Sequence, residues 1–274
     1  MKQTRWMWVS VIALAILPPV HADKTPPPAT IPSPTTASEL ELSPIVNNAF
    51  KPGEKLEFNI KYEFVVGGTA TMEVTEGPII GGRPTYNVQS RAESNSFVDS
   101  MFKVRDFNGA AIDKVSLKSL HFHQNLKEGK YHVVRNTAFD YRNASYNWEK
   151  IYKGQTTQRT GKLEKPMNDI LSAFFVTRTL PLELGKDYKI TVFSDEDVYP
   201  LLVHVSDKTE KIAVGAGKFD CIRLDPAIQG DAIFKAREGR MSIWLTNDNR
   251  HMPVLIRSRV AVGAFDAELQ KFKN

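Results

Sequence analysis

Residues 55–66 alternate between polar and apolar side chains in a way that strongly limits how this chain can fold. The apolar members of the series are Leu56, Phe58, Ile60, Tyr62, Phe64 and Val66. Successive side chains of a strand point to opposite faces of a sheet, so this period of two predicts a strand with one buried face.

The same alternation resumes after Gly67-Gly68, with Ala70, Met72 and Val74 as the apolar set. Both strands therefore place their even-numbered residues inward. A two-residue Gly-Gly turn would pair even with odd positions, whereas a three-residue loop or a bulge restores the match. We predict a loop of Gly67, Gly68 and Thr69.

Short segments with strand character recur along the rest of the chain, separated by Gly-rich and Asn-rich turn signals. The predicted strands are 85–94, 97–107, 110–116, 117–126, 131–141, 145–152, 188–193, 198–205, 208–214, 219–224, 241–245, 253–262 and 264–271. This pattern predicts an all-β protein, with a large curved antiparallel sheet or a partly closed barrel.

One segment has helical spacing instead. Asn168 is a candidate N-cap, Asp169 falls in the first turn, and apolar residues continue until Pro181 ends the pattern. We predict a short helix near 169–179. Such a helix either covers an open end of the sheet or marks the boundary between two β lobes.

The first 49 residues predict an exported protein. Residues 1–22 carry a basic start, an apolar run and Val20-His21-Ala22, which is the pattern of a signal peptide. Residues 23–49 are rich in proline and predict a disordered tether. Residues 50–274 form the predicted single β domain, and no later stretch is apolar enough for a membrane anchor. A periplasmic or secreted location in a bacterium is expected.

Charge and cysteine content exclude some classes of protein. The net charge of the whole chain is only +5, which does not indicate a nucleic-acid-binding protein. Basic residues concentrate late, at Lys235, Arg237, Arg240, Arg250, Arg257 and Arg259. They either face an anionic envelope polymer or lipid head group, or lie on solvated strand faces. Cys221 is the single cysteine, so no intrachain disulfide can form, and its apolar neighbours predict a buried, inert thiol.

Four separated blocks of sequence resemble one bacterial family of exported proteins, DUF3108. They are 50–56 (FKPGEKL), 168–175 with Arg178 (NDILSAFF and R), 215–222 (GAGKFDCI), and 243–248 with Pro253-Val254 (IWLTND and PV). The resemblance covers about residues 50–274. It implies a curved antiparallel sheet or partly closed barrel and an envelope address, and it brings no catalytic residue to transfer.

Histidine gives the sharpest candidate site. His121 and His123 lie two apart on a predicted strand, and a hairpin turning at Glu128-Gly129 would pair Asn125 with His132. Three imidazoles on one face could bind zinc or copper. The alternative is that they are polar residues on the wet surface, since the other face carries the apolar side chains. No catalytic motif is found, so we expect no cofactor and no enzyme activity.

Asp169 and Arg178 sit at the two ends of the predicted helix. Favourable interaction with the helix dipole explains both without a ligand. If Arg178 instead turns into the sheet, it needs a carboxylate partner or an anionic ligand.

Three functions follow from these features. The first is binding or transport of an apolar or lipid-like molecule on a concave face lined by Phe58, Ile60, Tyr62, Phe64 and Met72, with Trp244 in the core or lining a pocket. The second is a scaffold that binds an anionic envelope polymer or protein through Arg178, Arg257 and Arg259. The third is a metal-dependent enzyme using His121, His123 and His132.

Overall fold

The computed structural model describes residues 40–194, 197–228, 241–259 and 263–274. These residues contain fourteen strands and two short helices. In chain order they are β1 (Lys55–Tyr62), β2 (Val65–Glu76), β3 (Thr85–Ser94), α1 (Ser96–Asp99), β4 (Arg105–Asp113), β5 (Ser119–Glu128), β6 (Tyr131–Asp140), β7 (Ser145–Tyr152), β8 (Gln155–Lys162), α2 (Ile170–Thr177), β9 (Asp187–Ser194), β10 (Asp197–Val214), β11 (Gly217–Ile228), β12 (Met241–Thr246), β13 (Pro253–Arg259) and β14 (Ala264–Lys273).

All of these strands belong to one antiparallel sheet, which confirms the predicted fold class. The strand order is β8-β7-β6-β5-β4-β3-β2-β1-β14-β13-β12-β11-β10-β9. Each strand follows its neighbour in sequence except at the centre, where β1 pairs with β14. The fold is therefore two meanders joined side by side through the first and last strands.

The β1–β2 hairpin has the predicted facing but not the predicted loop. Leu56 pairs with Met72, so the even-numbered residues do share the inner face. The turn, however, is Glu63-Phe64, and a register shift beside Ile60 restores the match. Gly68 is a strand residue that pairs with Ile60 and Ser94, and only glycine fits there because a Cβ would lie 2.3 Å from the Glu93 carbonyl oxygen. Gly68 allows close approach of β3, and the predicted loop at Gly67, Gly68 and Thr69 is wrong.

Four other elements differ from prediction. The break predicted between strands 97–107 and 110–116 is absent, because β4 runs through Asn108-Gly109 without a turn. Residues 97–104 are not strand, because Asn95 caps α1 by accepting a hydrogen bond from the Val98 amide at 3.0 Å. The strands predicted at 198–205 and 208–214 are one long strand, β10. Strand β8 was not predicted, since its sequence QTTQRTGK has no apolar face and nearly all its side chains are exposed.

The sheet curls until its two edges approach each other. The ring of Phe193 in β9 lies 4.7 Å from the ring of Tyr146 in β7 and 5.5 Å from that of Phe139 in β6. Between the edges, Asn168 forms a parallel bridge with Val192. The 163–169 segment thus fills the seam of a barrel-like sheet.

Helix α2 packs against the inner face of this sheet. All its residues except Ile170 are buried, and Phe175 is fully buried with its ring 4.8 Å from that of Phe50. The helix contacts β4 and β9, and its buried side chains join the main apolar core. It covers the inner face of the sheet, whereas the sequence interpretations placed such a helix over an open end or between two β lobes.

Residues 40–49 also pack on the domain, so the predicted tether is too long at its C-terminal end. The Leu40 amide donates to the Tyr141 carbonyl at 2.9 Å, and the Ile45 amide donates to the Val115 carbonyl at 2.8 Å. Ala49 is buried. The predicted signal peptide and residues 23–39 lie outside the described residues.

Candidate functional site

The predicted concave binding surface is part of the packed core. Phe58 and Met72 are 1% and 2% exposed, and both belong to the main apolar cluster. Ile60 and Tyr62 are half-buried and pack against the same cluster. The Tyr62 ring lies 5.0 Å from the ring of Phe265. These four residues stabilise the sheet and do not line an open cleft.

One small cavity lies between α2 and strands β10 to β12. Its volume is about 20 Å³, and its lining is apolar apart from one threonine: Phe174, Thr177, Leu201, Val203, Leu224, Pro226, Ile243 and Leu245. This volume holds roughly one water molecule. Ligand pockets are typically about 300–1,000 Å³. The cavity is too small for a lipid in this conformation.

Trp244 lies on the opposite face from that cavity. It packs in a separate cluster with Cys221, Val254 and Leu255, while its neighbour Ile243 faces the main core. The placement of Trp244 on the concave face is therefore wrong, because adjacent strand residues point to opposite sides. The Cys221 thiol is fully buried, and burial raises its pKa to about 12, which agrees with an inert thiol.

Phe64 lies in solvent at the tip of the β1–β2 hairpin. It is the second residue of the β1–β2 turn and is 95% exposed, so its placement on the concave face is also wrong. The preceding residue, Glu63, turns the chain with a left-handed φ of 52°. The hairpin therefore ends in an aromatic ring that projects into solvent.

Four more exposed apolar side chains accompany Phe64 at this end of the sheet. Val65 and Val66 follow it on β2, with exposures of 59% and 40%. Phe97 in α1 and Met101 just after it are 66% and 69% exposed. We call these five residues the rim patch.

Hydrogen bonds hold the two parts of the rim patch together. The Asn95 side-chain Nδ2 donates to the Val66 carbonyl at 2.8 Å, and the Asn95 backbone N–H donates to the Gly67 carbonyl at 2.8 Å. A Cβ on Gly67 would lie 3.3 Å from the Val98 side chain. The α1 turn and the β1–β2 hairpin are thus in direct contact, so their exposed apolar side chains lie at the same end of the sheet.

The predicted helix-end residues form buried contacts instead of a ligand site. Asp169, not Asn168, is the N-cap of α2, since its Oδ1 accepts from the amides of Leu171 and Ser172 at 2.7 and 2.9 Å. Asn168 instead donates to the Leu117 carbonyl and accepts from the Lys118 amine. Burial raises the pKa of the Asp169 carboxyl above its usual value.

Arg178 is the C-cap of α2, as predicted, but its side chain is fully buried, so its predicted role as a contact for an anionic partner is wrong. Its guanidinium donates two hydrogen bonds to the Glu54 carboxylate, at 2.7 and 2.9 Å. It also donates to the carbonyls of Ala49 and Arg250. The sequence alternative of an inward Arg178 with a carboxylate partner is therefore the one observed.

The sequence of residues 57–270 matches the family described as a protein of unknown function, DUF3108. The chain belongs to this family. No curated protein sequence matches it.

Two solved structures are similar to this DUF3108 protein. One is a β-barrel-like protein of the unknown-function family DUF1849 from Brucella abortus, with a TM-score of 0.53 and 13% sequence identity. The match covers 80% of this chain and 96% of the Brucella abortus chain. That likeness supports the barrel-like fold. A protein from Bacteroides fragilis, proposed to be exported and with a YmcC-like fold, has a TM-score of 0.33 and 8% identity, covering 85% and 100%. No described helix of the DUF3108 protein is long and apolar enough to span a bilayer.

The three histidines do not converge in this DUF3108 protein. His123 pairs with Asn136, but His132 pairs with Lys127, so the predicted pairing of Asn125 with His132 is wrong. Lys127, the partner of His132, lies four positions beyond His123 on β5, which is roughly 13 Å along the strand. The described residues contain no group of three His, Cys, Asp or Glu side chains placed to hold a metal ion.

The late basic residues are only partly described. Lys235, Arg237 and Arg240 lie outside the described residues. Arg257 forms a two-point ion pair with Asp266, at 2.7 and 2.6 Å, and its guanidinium lies 5.7 Å from the Trp244 ring centroid. Arg259 is exposed at the end of β13. Pairing with Asp266 leaves Arg257 with little net charge to offer an anionic partner.

The buried cap at Asp169 gives a testable pH dependence. Its raised folded-state pKa means that the folded chain binds a proton more tightly than the unfolded chain. The contribution of Asp169 to stability is therefore full below the unfolded pKa near 3.8 and is lost as pH rises through the folded value. We expect Asp169→Asn to keep the cap and to be at least as stable as the parent at neutral pH. Urea unfolding from acid to neutral pH measures this.

The matched variant is Asp169→Ala, which removes the cap and is expected to cost about 1–2 kcal/mol at neutral pH. If Asp169→Asn were as destabilising as Asp169→Ala at neutral pH, the carboxylate itself would be needed and the buried-acid interpretation would fail.

Proposed function

We propose that this DUF3108 protein is a non-catalytic protein of the bacterial envelope that binds a lipid surface through the rim patch. The observation that carries the proposal is the position of Phe64, which is 95% exposed at a hairpin tip beside the exposed side chains of Phe97 and Met101. Contiguous exposed apolar side chains on a folded protein mark sites of interaction. The signal-peptide pattern of residues 1–22 supports an envelope location.

The shape of the rim patch favours a lipid layer over a small ligand. Phe64 lies at the tip of a turn and Phe97 lies on a single helical turn, so both rings project outward and enclose no space. A projecting ring can enter the acyl region of a bilayer, where its apolar surface leaves water. The inner face is filled by core side chains, which argues against a lipid carried inside the sheet.

The rim patch is also pre-ordered. The two Asn95 hydrogen bonds to Val66 and Gly67 fix the hairpin against α1, and Asn95 caps α1 as well. Ordering of this kind lowers the entropy lost when a surface binds. The patch can therefore insert without first refolding its loops.

The other two sequence hypotheses have less support. A scaffold that binds an anionic envelope polymer through Arg257 and Arg259 would have to compete with Asp266 for the Arg257 guanidinium. A metal-dependent enzyme would need His132 to approach His121 and His123, and the β5–β6 register separates it from them.

Replacement of Phe64 tests the proposal. Phe64→Ser removes the most exposed ring without touching the core, so we expect normal thermal unfolding. Burial of a phenylalanine stabilises by about 1.5–3 kcal/mol, so vesicle affinity should fall at least tenfold. Sedimentation of the purified protein with phosphatidylcholine vesicles measures the change.

Ile79→Ser is the matched control, because Ile79 is 74% exposed but lies between β2 and β3, at the other end of the sheet. Equal loss of binding in both variants would point to general stickiness. Unchanged binding by Phe64→Ser would refute the proposal.

A further inference from the structure

Four exposed lysines continue the line of the rim patch along the same end of the sheet. Lys103 follows α1, Lys127 and Lys130 flank the β5–β6 turn, and Lys153 lies in the β7–β8 turn. We call these four residues the basic flank. We infer that the surface this protein binds is an anionic lipid bilayer, and that the basic flank contacts its phosphate head groups; this inference rests on the proposed function.

Contacts between the loops at this end of the sheet show that the basic flank adjoins the rim patch. The Gly129 amide donates to the Lys103 carbonyl at 2.8 Å, which joins the β5–β6 turn to the segment after α1. The rings of Tyr131 and Tyr152 lie 5.4 Å apart, which joins the β5–β6 turn to the β7–β8 turn. The sheet end is thus apolar on one side and basic on the other.

The lysines of the basic flank differ from the two lysines of β1 in their surroundings. Within the described part of the chain, none of the four makes an ion pair. Lys61, by contrast, pairs with Glu268 at 2.5 Å, and Lys55 pairs with Glu73 at 2.9 Å. The basic flank therefore keeps its charge available for an external anion.

Nearby carboxylates offset only part of that charge, and the one that Lys103 acts on is Asp99. Asp99 and Glu93 both face Arg105, at 2.6 and 3.9 Å. Glu128, between Lys127 and Lys130, is half-buried and lies on the β5 side of the turn. Glu63 is the exposed acid closest in sequence to the rim patch. The positive side chains thus outnumber the exposed acids on this end of the described chain.

An apolar tip beside a basic surface fits an anionic bilayer better than a neutral one. Insertion of Phe64 and Phe97 brings the basic flank to the depth of the head groups, where the negative surface potential attracts each lysine. The attraction falls off within a Debye length, about 10 Å at 0.1 M salt. Binding should therefore depend on anionic lipid and on ionic strength.

A charge-reversal triple variant tests the inference on the full folded protein. Lys103→Glu, Lys130→Glu and Lys153→Glu are combined, and binding is measured to vesicles of phosphatidylcholine alone and of equimolar phosphatidylcholine and phosphatidylglycerol. We expect affinity for the anionic vesicles to fall by about a hundredfold, from the contribution of each lysine near a charged surface. Affinity for neutral vesicles should not fall.

The matched control reverses Lys51, Lys162 and Lys165, which are exposed at the opposite end of the sheet. We expect the control to bind anionic vesicles within about threefold of the parent, since its changes lie beyond the screening distance. Comparable loss in both triple variants would overturn the inference, because net charge alone would then explain binding.

The two proposals fail differently. If the lysine variant binds anionic vesicles as the parent does while Phe64→Ser binds them weakly, the inference on head groups is wrong and the proposed function stands. If Phe64→Ser binds both vesicle types as the parent does, the proposed function is wrong. If inorganic phosphate displaces the protein from anionic vesicles when sodium chloride of equal ionic strength does not, the basic flank is a site for free phosphate, and the bilayer assignment is overturned.

Discussion

Replacing Arg178 with methionine is expected to lower the free energy of unfolding by about 3–5 kcal/mol. The Arg178 side chain has no solvent exposure, and its two hydrogen bonds to Glu54 satisfy a carboxylate that is itself 5% exposed. Loss of the guanidinium leaves the buried Glu54 carboxylate without its ion partner. It also removes the hydrogen bonds to the carbonyls of Ala49 and Arg250. Urea unfolding followed by circular dichroism measures the loss.

A double variant separates the cost of a stranded charge from the cost of lost packing. Glu54→Leu combined with Arg178→Met removes both charges, so we expect the loss to be smaller than for Arg178→Met alone. Arg223→Met is the control for a solvent-exposed pair, because Arg223 is 38% exposed beside Asp225, and it should cost about 0–1 kcal/mol. A loss from Arg178→Met no larger than this control would show that the buried pair does not stabilise the fold.

Replacing Phe193 with alanine is expected to cost about 3–5 kcal/mol, because its ring is 2% exposed and fills the seam of the sheet. The ring contacts Tyr146 and Phe139, which belong to strands at the other edge. No other side chain of β9 belongs to that cluster among the described residues. The cavity left by alanine therefore lies where the two edges meet.

Hydrogen exchange shows whether this loss is local. We expect the amides of the 163–169 segment and of β9 to exchange faster in Phe193→Ala, because the bridge at Asn168 depends on that packing. Phe272→Ala is the control, since Phe272 is 41% exposed at the end of β14. Uniform faster exchange over the whole sheet would contradict a local seam and indicate global destabilisation only.

Much of the sheet could be predicted from the sequence because alternation reports burial directly. The Leu56 and Met72 pairing follows from the inward facing of both strands. The turn could not be placed in the same way, since Gly67-Gly68 is a stronger turn signal than Glu63-Phe64. Gly68 is required for a different reason, the close approach of Glu93 across the β2–β3 pair. A glycine pattern alone does not separate these two causes.

Contacts between residues far apart in the sequence could not be predicted either. The sequence suggested that an inward Arg178 would need an acid, but nothing near it identifies Glu54, which is 124 residues away. Strand β8 was missed because its two faces are both polar and exposed. The predicted register of β5 and β6 differs from the observed one by a shift of two residues, so the prediction places His132 too near His123.

The candidate site was hidden by the same alternation that revealed the strands. Phe64 continues the inward series of β1, so pattern alone assigns it to the core. Its side chain is exposed instead, because the chain reverses at Glu63. The Asn95 cap signal before Phe97 was available in the sequence, and it would have shown that residues 97–101 are not strand.

The pairing of β1 with β14 has a consequence for how the chain reaches its folded state. Lys55 lies opposite Lys273, so the middle of the sheet is completed by its first and last strands, which lie far apart in the sequence. Contacts at such separation form slowly, because a very long loop must close before they stabilise anything. The meander β1–β8 can assemble before the rest of the chain is made, but the join at the centre of the sheet must wait until β14 is present.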